Sequence, residues 1–336
     1  MLISRQMTKL RKIFMILLLA AAVPAAAQRV HYTISPKNAE GVLKVENIRS
    51  TVDYLCDQKL GGRATGSGGA AKAAGWLENQ FRGLQLQPLG GAWLHGFKTS
   101  SGFARNVIGL IPGTANPARY VLVTAHYDNL GNLGGTFYPG ADSNASGVAA
   151  MLEVARMFKQ MKDCKKTYPC GIIFVALDGK EKNSAGAAEL WREIESGKLI
   201  NHATGEAISA SQIILEVNLD QLGATLAPIT KGNPNYIIML SEEATGRRNT
   251  LLNANKDQHL GLEIGFDYYG SKDFTNLFYN RVGDQCIFME HGIPAVVFTS
   301  GITMNNNKVT DTPSTLDYNV MRKRIQLIFY WLDKVL

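Results

Sequence analysis

The sequence predicts an α/β fold in which a central sheet is covered by helices on both faces. Two observations carry this expectation. Short apolar runs bounded by turn residues alternate with longer stretches of helical periodicity. The runs are also continuously apolar, as inner strands buried on both faces are. In chain order, helical patterns at 45–58 and 68–84 come first, and apolar runs at 106–111 and 120–125 read as strands. A helix is expected over 145–161, a strand over 172–177 and a helix over 184–194. Strands follow at 213–219, 236–240 and 295–298, and a last helix at 316–336. In that helix Val320, Met321, Ile325, Ile328, Phe329 and Leu332 recur at the spacing of one face and are expected in the core.

The 336-residue chain opens with the features of an export signal. Arg5, Lys9, Arg11 and Lys12 precede an apolar run from Ile13 to Val23, and Ala25, Ala26 and Ala27 supply small residues for a signal peptidase. The run falls short of the roughly 20 apolar residues that a spanning helix needs. Residues 1–27 are therefore expected to be removed, leaving 28–336 as a single exported domain, periplasmic or extracellular, without a membrane span. No repeat, low-complexity tract or Pro/Ser linker divides it. Removing the four basic residues lowers the net charge from +7 to about +3, so the basic balance gives no reason to expect nucleic acid. Of the four cysteines, Cys164 and Cys170 flank the loop CKKTYPC and could bridge if their geometry allows. Cys56 and Cys286 are either a pair or buried thiols.

The informative polar residues sit where strands end, which is where open α/β sheets form ligand sites. His126 and Asp128 follow one strand, Asp178 to Glu181 a second, and Asn218 to Asp220 a third. With the loop GADSNASG (140–147), four segments can converge on one sheet edge.

These segments carry a resemblance. The chain resembles the secreted co-catalytic zinc aminopeptidases, whose relatives include the glutaminyl cyclases. The shared pattern runs from LGGRATGSGGAAKAAGWLENQFRGLQLQPLG (60–90) through RNVIGLIPG (105–113), VLVTAHYDNLG (121–131), GADSNASG, IIFVALDGKE (172–181) and NLDQLG (218–223) to TDTPSTLDY (310–318). It covers most of the mature chain in the family's order and spacing. The resemblance implies a mixed, mostly parallel sheet of the zinc-exopeptidase, phosphorylase/hydrolase-like kind. It also implies two zinc ions about 3.5 to 4 Å apart that share a carboxylate and activate a water. By that likeness His126 and Asp220 match ligands of one metal, Glu181 a ligand of the other, and Asp128 the carboxylate that orients His126.

Other positions depart from the pattern. Ser143 stands where the bridging Asp belongs, Lys180 where the general base belongs, and Asn307 where the second His belongs. Gln285 also stands where relatives often carry His. A hydroxyl cannot bridge two dications as a carboxylate does, an amide is a poor zinc ligand, and a protonated lysine is no base. Lys180 is expected to supply positive charge among Glu181, Asp220 and Asp128; the alternative is that it points to solvent. Asp142, next to Ser143, could approach His126 and Asp220 as a third ligand of a single metal, and with Lys180 and Gln285 it is placed in the cleft. The resulting expectation is a zinc-aminopeptidase-like protein with a degraded site and no resident cofactor, zinc binding weakly at most. Such a protein would bind a peptide or small molecule in the former cleft. The competing readings are a single-metal aminopeptidase or glutaminyl cyclase, and an envelope scaffold. Oligomeric state is left open.

Overall fold

A computed structural model describes residues 34–336 except 117, 243 and 244. The expected signal segment at 1–27 and the start of the mature chain near Gln28 lie outside the described residues. Residues Ile34–Leu336 form one compact unit. Its strands are β1 (Leu94–Thr99), β2 (Gly102–Ile111), β3 (Tyr120–His126), β4 (Gly131–Leu133), β5 (Thr136–Tyr138), β6 (Gly171–Leu177), β7 (Ile200–Asn201), β8 (Glu206–Ala207), β9 (Ile213–Leu219), β10 (Tyr236–Ser241), β11 (Glu263–Gly265) and β12 (Ala295–Thr299). Eight of them form one sheet in the order β1-β2-β6-β3-β9-β12-β10-β11. The inner run β6, β3, β9 and β12 is parallel, while β1–β2, β2–β6 and β10–β12 are antiparallel. The sheet is thus mixed and mostly parallel at its centre, as the sequence led us to expect.

Register fixes where the site lies. His126 pairs with Leu177, Thr124 with Asn218, and Asn218 with Val297. The carboxyl ends of four neighbouring strands therefore share one edge, and the loops leaving them are brought together.

The helices are α1 (Val45–Leu55), α2 (Gly68–Gly83), α3 (Gly147–Asp163), α4 (Ala185–Glu195), α5 (Thr245–Asp257), α6 (Lys272–Arg281), α7 (Gln285–Glu290) and α8 (Tyr318–Val335). Successive side chains of a strand point to opposite faces, and the inner strands divide accordingly. Val121, Val123, Ala125, Ile172, Phe174 and Ala176 join the core beneath α3 and α8. Tyr120, Leu122, Ile173, Val175 and Leu177 join the opposite core with Leu190 and Trp191 of α4 and Phe288 of α7. Both faces are covered, which is why these strands read as unbroken apolar runs.

All six expected strands and five expected helices appear. The six residues of α8 expected in the core are all buried. The helix expected from 145 begins at Gly147, because Ser143 and Asn144 adopt non-helical backbone angles in a tight loop ahead of it. The last helix begins at Tyr318, where the Asp317 carboxylate accepts from the Asn319 and Val320 amides as an N-cap. The edge strands β1 and β11, and the helices α5 to α7, lacked a readable pattern. In α5, for example, Leu251 and Ala254 are buried while Leu252 is exposed. The possible Cys164–Cys170 bridge is not formed; all four cysteines are free. Cys164 sits at the C-cap of α3, where its sulfur accepts from Gln160, and Cys170 is buried just before β6. Among the described residues no helix is long and apolar enough to cross a membrane.

Candidate functional site

At the carboxyl edge of the sheet lies a cleft of about 390 Å³, within the size range of small-molecule sites. His126, Ser143, Lys180, Glu181, Asp220, Gln285 and Asn307 all line it. The apolar side chains of Leu240, Phe278, Val282, Val297 and Ile302 line it as well.

His126, only 2% exposed, ends β3. Its Nδ1 lies 3.2 Å from the Asp128 main-chain oxygen and 3.6 Å from Asp128 Oδ1, and its Nε2 lies 3.6 Å from Asp220 Oδ1. Burial opposes a charge on the ring, but the Asp128 and Asp220 carboxylates outweigh it and push the pKa up to about 10. Asp220 is held below its usual range by the same pairing and by Lys180, against the effect of burial.

Asp128 is fully buried and does more than orient His126. Its Oδ1 accepts from the Lys180 amide at 3.0 Å, and its Oδ2 accepts from the Glu181 amide at 3.1 Å and the Thr65 hydroxyl at 3.0 Å. One carboxylate therefore fixes the turn that carries Lys180 and Glu181. That turn leaves β6 through Gly179 at φ +80°, a backbone that a side chain would strain. The neighbouring Asp178 accepts from the Arg105 amide at 3.1 Å and the Tyr127 hydroxyl at 3.0 Å. Burial, aided by the Asp128 charge, pushes its pKa up to about 6.

The 140–147 loop is pinned in the same manner. Asp311 accepts from the Asp142 and Ser143 amides at 2.8 and 3.0 Å. Asn144 accepts from the Gln221 and Gly147 amides at 2.9 and 3.1 Å and donates to Leu219 at 2.9 Å. Asp142 does not line the cleft, which corrects its expected placement. Its Oδ1 accepts from the Gly223 amide at 2.7 Å and the Ser146 hydroxyl at 2.9 Å, so the carboxylate holds the loop after β9. Arg63, fully buried, donates to the carbonyls of Tyr127 at 2.7 Å, Pro139 at 2.9 Å, Gly140 at 3.0 Å and Leu55.

Lys180 faces the cleft and is half-buried. Burial works against its charge, yet Asp284, Asp220, Glu181 and Asp128 together hold its pKa above the ordinary lysine value. Sequence reasoning named three of these four carboxylates and missed Asp284. Asp284 is 1% exposed, and neither of its oxygens meets a hydrogen-bond donor. Burial raises its pKa, and Lys180 is the foremost group pulling it back. The available signal was its position directly before Gln285 in GDQCIF. Gln285 itself is fully engaged, accepting from Asn218 at 2.9 Å and donating to Tyr279 at 2.8 Å. Tyr268, also unforeseen, lines the cleft.

Chemically, the cleft offers two cations and two carboxylates in mutual compensation, together with hydroxyl and amide groups at Ser143, Gln221, Asn306 and Asn307. Among the described residues no three His, Cys, Asp or Glu side chains gather as a metal-holding group.

The sequence profile described as Peptidase family M28 matches residues 106–332. A probable zinc metalloprotease of Pyrenophora tritici-repentis is 26% identical over 258 residues, covering 67% of this chain and 56% of the fungal protein. The Legionella pneumophila LapA aminopeptidase superposes with a TM-score of 0.68 at 16% identity, covering 89% of this chain and 73% of that one. The Porphyromonas gingivalis glutaminyl cyclase superposes with a TM-score of 0.62 at 17% identity, covering 87% and 99%. The two structural likenesses are of fold. The chain spans about half the length of the fungal relative.

Proposed function

The chain belongs to peptidase family M28, and we propose that it is an exported member that does not hydrolyse peptides and binds a peptide or another small ligand in its cleft. The observation that carries this reading is Lys180. An ammonium flanked by Asp284, Asp220, Glu181 and Asp128 stands where the family resemblance puts the general base, and it supplies fixed positive charge beside the carboxylates.

The donors present do not fit the implied pair of zinc ions. His126 and Asp220 remain for one metal and Glu181 for the other, while Ser143 offers a hydroxyl in place of a bridging carboxylate and Asn307 an amide in place of an imidazole. The single-metal reading needs Asp142 as a third ligand, and that carboxylate is bound to the Gly223 amide. An open cleft lined by both polar and apolar side chains supports ligand binding over a scaffold role that would leave it unused.

Turnover tests the proposal. Aminoacyl chromogenic substrates and N-terminal glutaminyl peptides are expected to show no release above a blank, with or without added zinc or cobalt. Turnover that disappears in His126→Ala would establish the enzyme reading instead.

A further inference from the structure

The cleft does not end at its own rim. A second hollow of about 400 Å³ lies between the 180–184 turn and the segment 281–290 that joins the end of α6 to α7. It shares Lys180, Glu181, Val282 and Gly283 with the cleft, so only these four residues part the two spaces. Resting on the ligand-binding reading above, we infer that the ligand is an extended polypeptide of four residues or more, which crosses over Val282 and Gly283 to fill both hollows. A hollow of this volume is roughly 7 Å across, about the reach of two extended residues. A single residue or a dipeptide would leave the second one empty.

The crossing carries no side chain at position 283. A Cβ on Gly283 would collide with the Gln285 side chain, which Asn218 and the Tyr279 carbonyl hold in place. Bare main chain therefore lines both hollows at their junction. The lining of the second hollow then selects among chain-like ligands. Lys180 and Arg281 stand against Glu181 and Glu290, so its formal charges cancel and offer no track for a polyanion. Among the described residues that line it none is aromatic, so no ring offers a face on which a base or a sugar could stack. What remains is the Asn183 amide, which both donates and accepts, and the aliphatic side chains of Val282 and Ile287. Val282 is 40% exposed and gains from being covered. Neutral polar groups beside aliphatic ones match a peptide main chain that carries uncharged side chains.

Titration calorimetry on the purified chain at neutral pH compares leucyl-alaninamide with a tetrapeptide amide that begins with the same two residues and continues with serine and leucine. Mass spectrometry of the same mixtures follows cleavage. The tetrapeptide is expected to bind at least about tenfold more tightly. Ile287→Trp, which fills the second hollow, should bring the tetrapeptide to within about twofold of the dipeptide and leave the dipeptide as it was. Should that variant fail to fold, Glu290→Trp places the same bulk from an exposed position and is expected to act alike. A dipeptide that binds as tightly as the tetrapeptide overturns the inference and leaves the ligand-binding reading standing. A tetrapeptide that binds the filled variant like the parent, or an absence of binding by both peptides, also overturns the inference. Release of shorter fragments would instead overturn the non-hydrolysing reading, and the affinity ratio would still judge the inference separately.

Discussion

Two layers of the same site obey different rules. In the buried layer, Arg63, Asp128, Asp142, Asn144 and Asp311 spend their polar atoms on main-chain groups, fixing the loops that leave β3, β6 and β9. In the layer that faces the cleft, Ser143, Lys180 and Asn307 leave their side chains to the open space. The first layer answers to backbone satisfaction, since a buried N–H or C=O left unpaired is costly whatever chemistry the site performs. The second answers only to what occupies the cleft. Under the non-hydrolysing proposal, the buried layer would hold the loops in place whatever side chains face the cleft.

The largest expected effect breaks the buried layer. Arg63→Met keeps most of the volume but strips hydrogen bonds from four carbonyls, and should cost about 4 kcal/mol or more in denaturant unfolding. A loss below about 1 kcal/mol would mean that the loops hold themselves.

Next in size is a pH dependence seated in the same layer. Glu216 accepts from Thr124, and burial pushes its pKa up to about 8. Because the folded value lies above the ordinary one, the protonated form is favoured in the fold. That stability is fully present below about pH 4.5 and is lost as pH rises through about 8. Glu216→Gln should flatten the fall in unfolding free energy over this window by an amount on the order of a few kcal/mol. Parallel curves for parent and variant would contradict the assignment.

Lys180→Met tests the one cleft residue that also serves the carboxylates behind it. It should cost roughly 2 to 4 kcal/mol, since Glu181, Asp220 and Asp284 would lose their common cation. The smallest effect belongs to the exposed rim. Asn307→Gly, which suits the left-handed backbone at φ +57°, should shift stability by less than about 0.5 kcal/mol, and a larger loss would blur the distinction between the layers.

Legibility in the sequence follows the same division. The inner strands were readable because cores on both faces force unbroken apolar runs, as in β3 and β6. The positions of His126, Ser143, Lys180, Glu181, Asp220 and Asn307 around one cleft were readable from their places at strand ends and in motifs. Side-chain direction was not. Asp142 and Ser143 are adjacent, yet one turns to Gly223 and the other to the cleft, through backbone angles no periodicity encodes. Asp284 escaped notice because a lone carboxylate in a loop becomes informative only when the fold buries it beside a lysine. The stretch holding α5 to α7 was illegible for the opposite reason: α6 buries little beyond Tyr279, and α7, six residues long, is too short to show a period.

The zinc content of the purified chain tests the central claim most directly. Elemental analysis at neutral pH is expected to find well under one zinc per molecule. The combined Ser143→Asp, Lys180→Glu, Asn307→His variant, restoring the implied ligands on the unchanged buried layer, should retain zinc and gain about 2.7 kcal/mol of stability at a hundredfold excess over its Kd. Stoichiometric zinc held tightly by the parent chain would contradict the account.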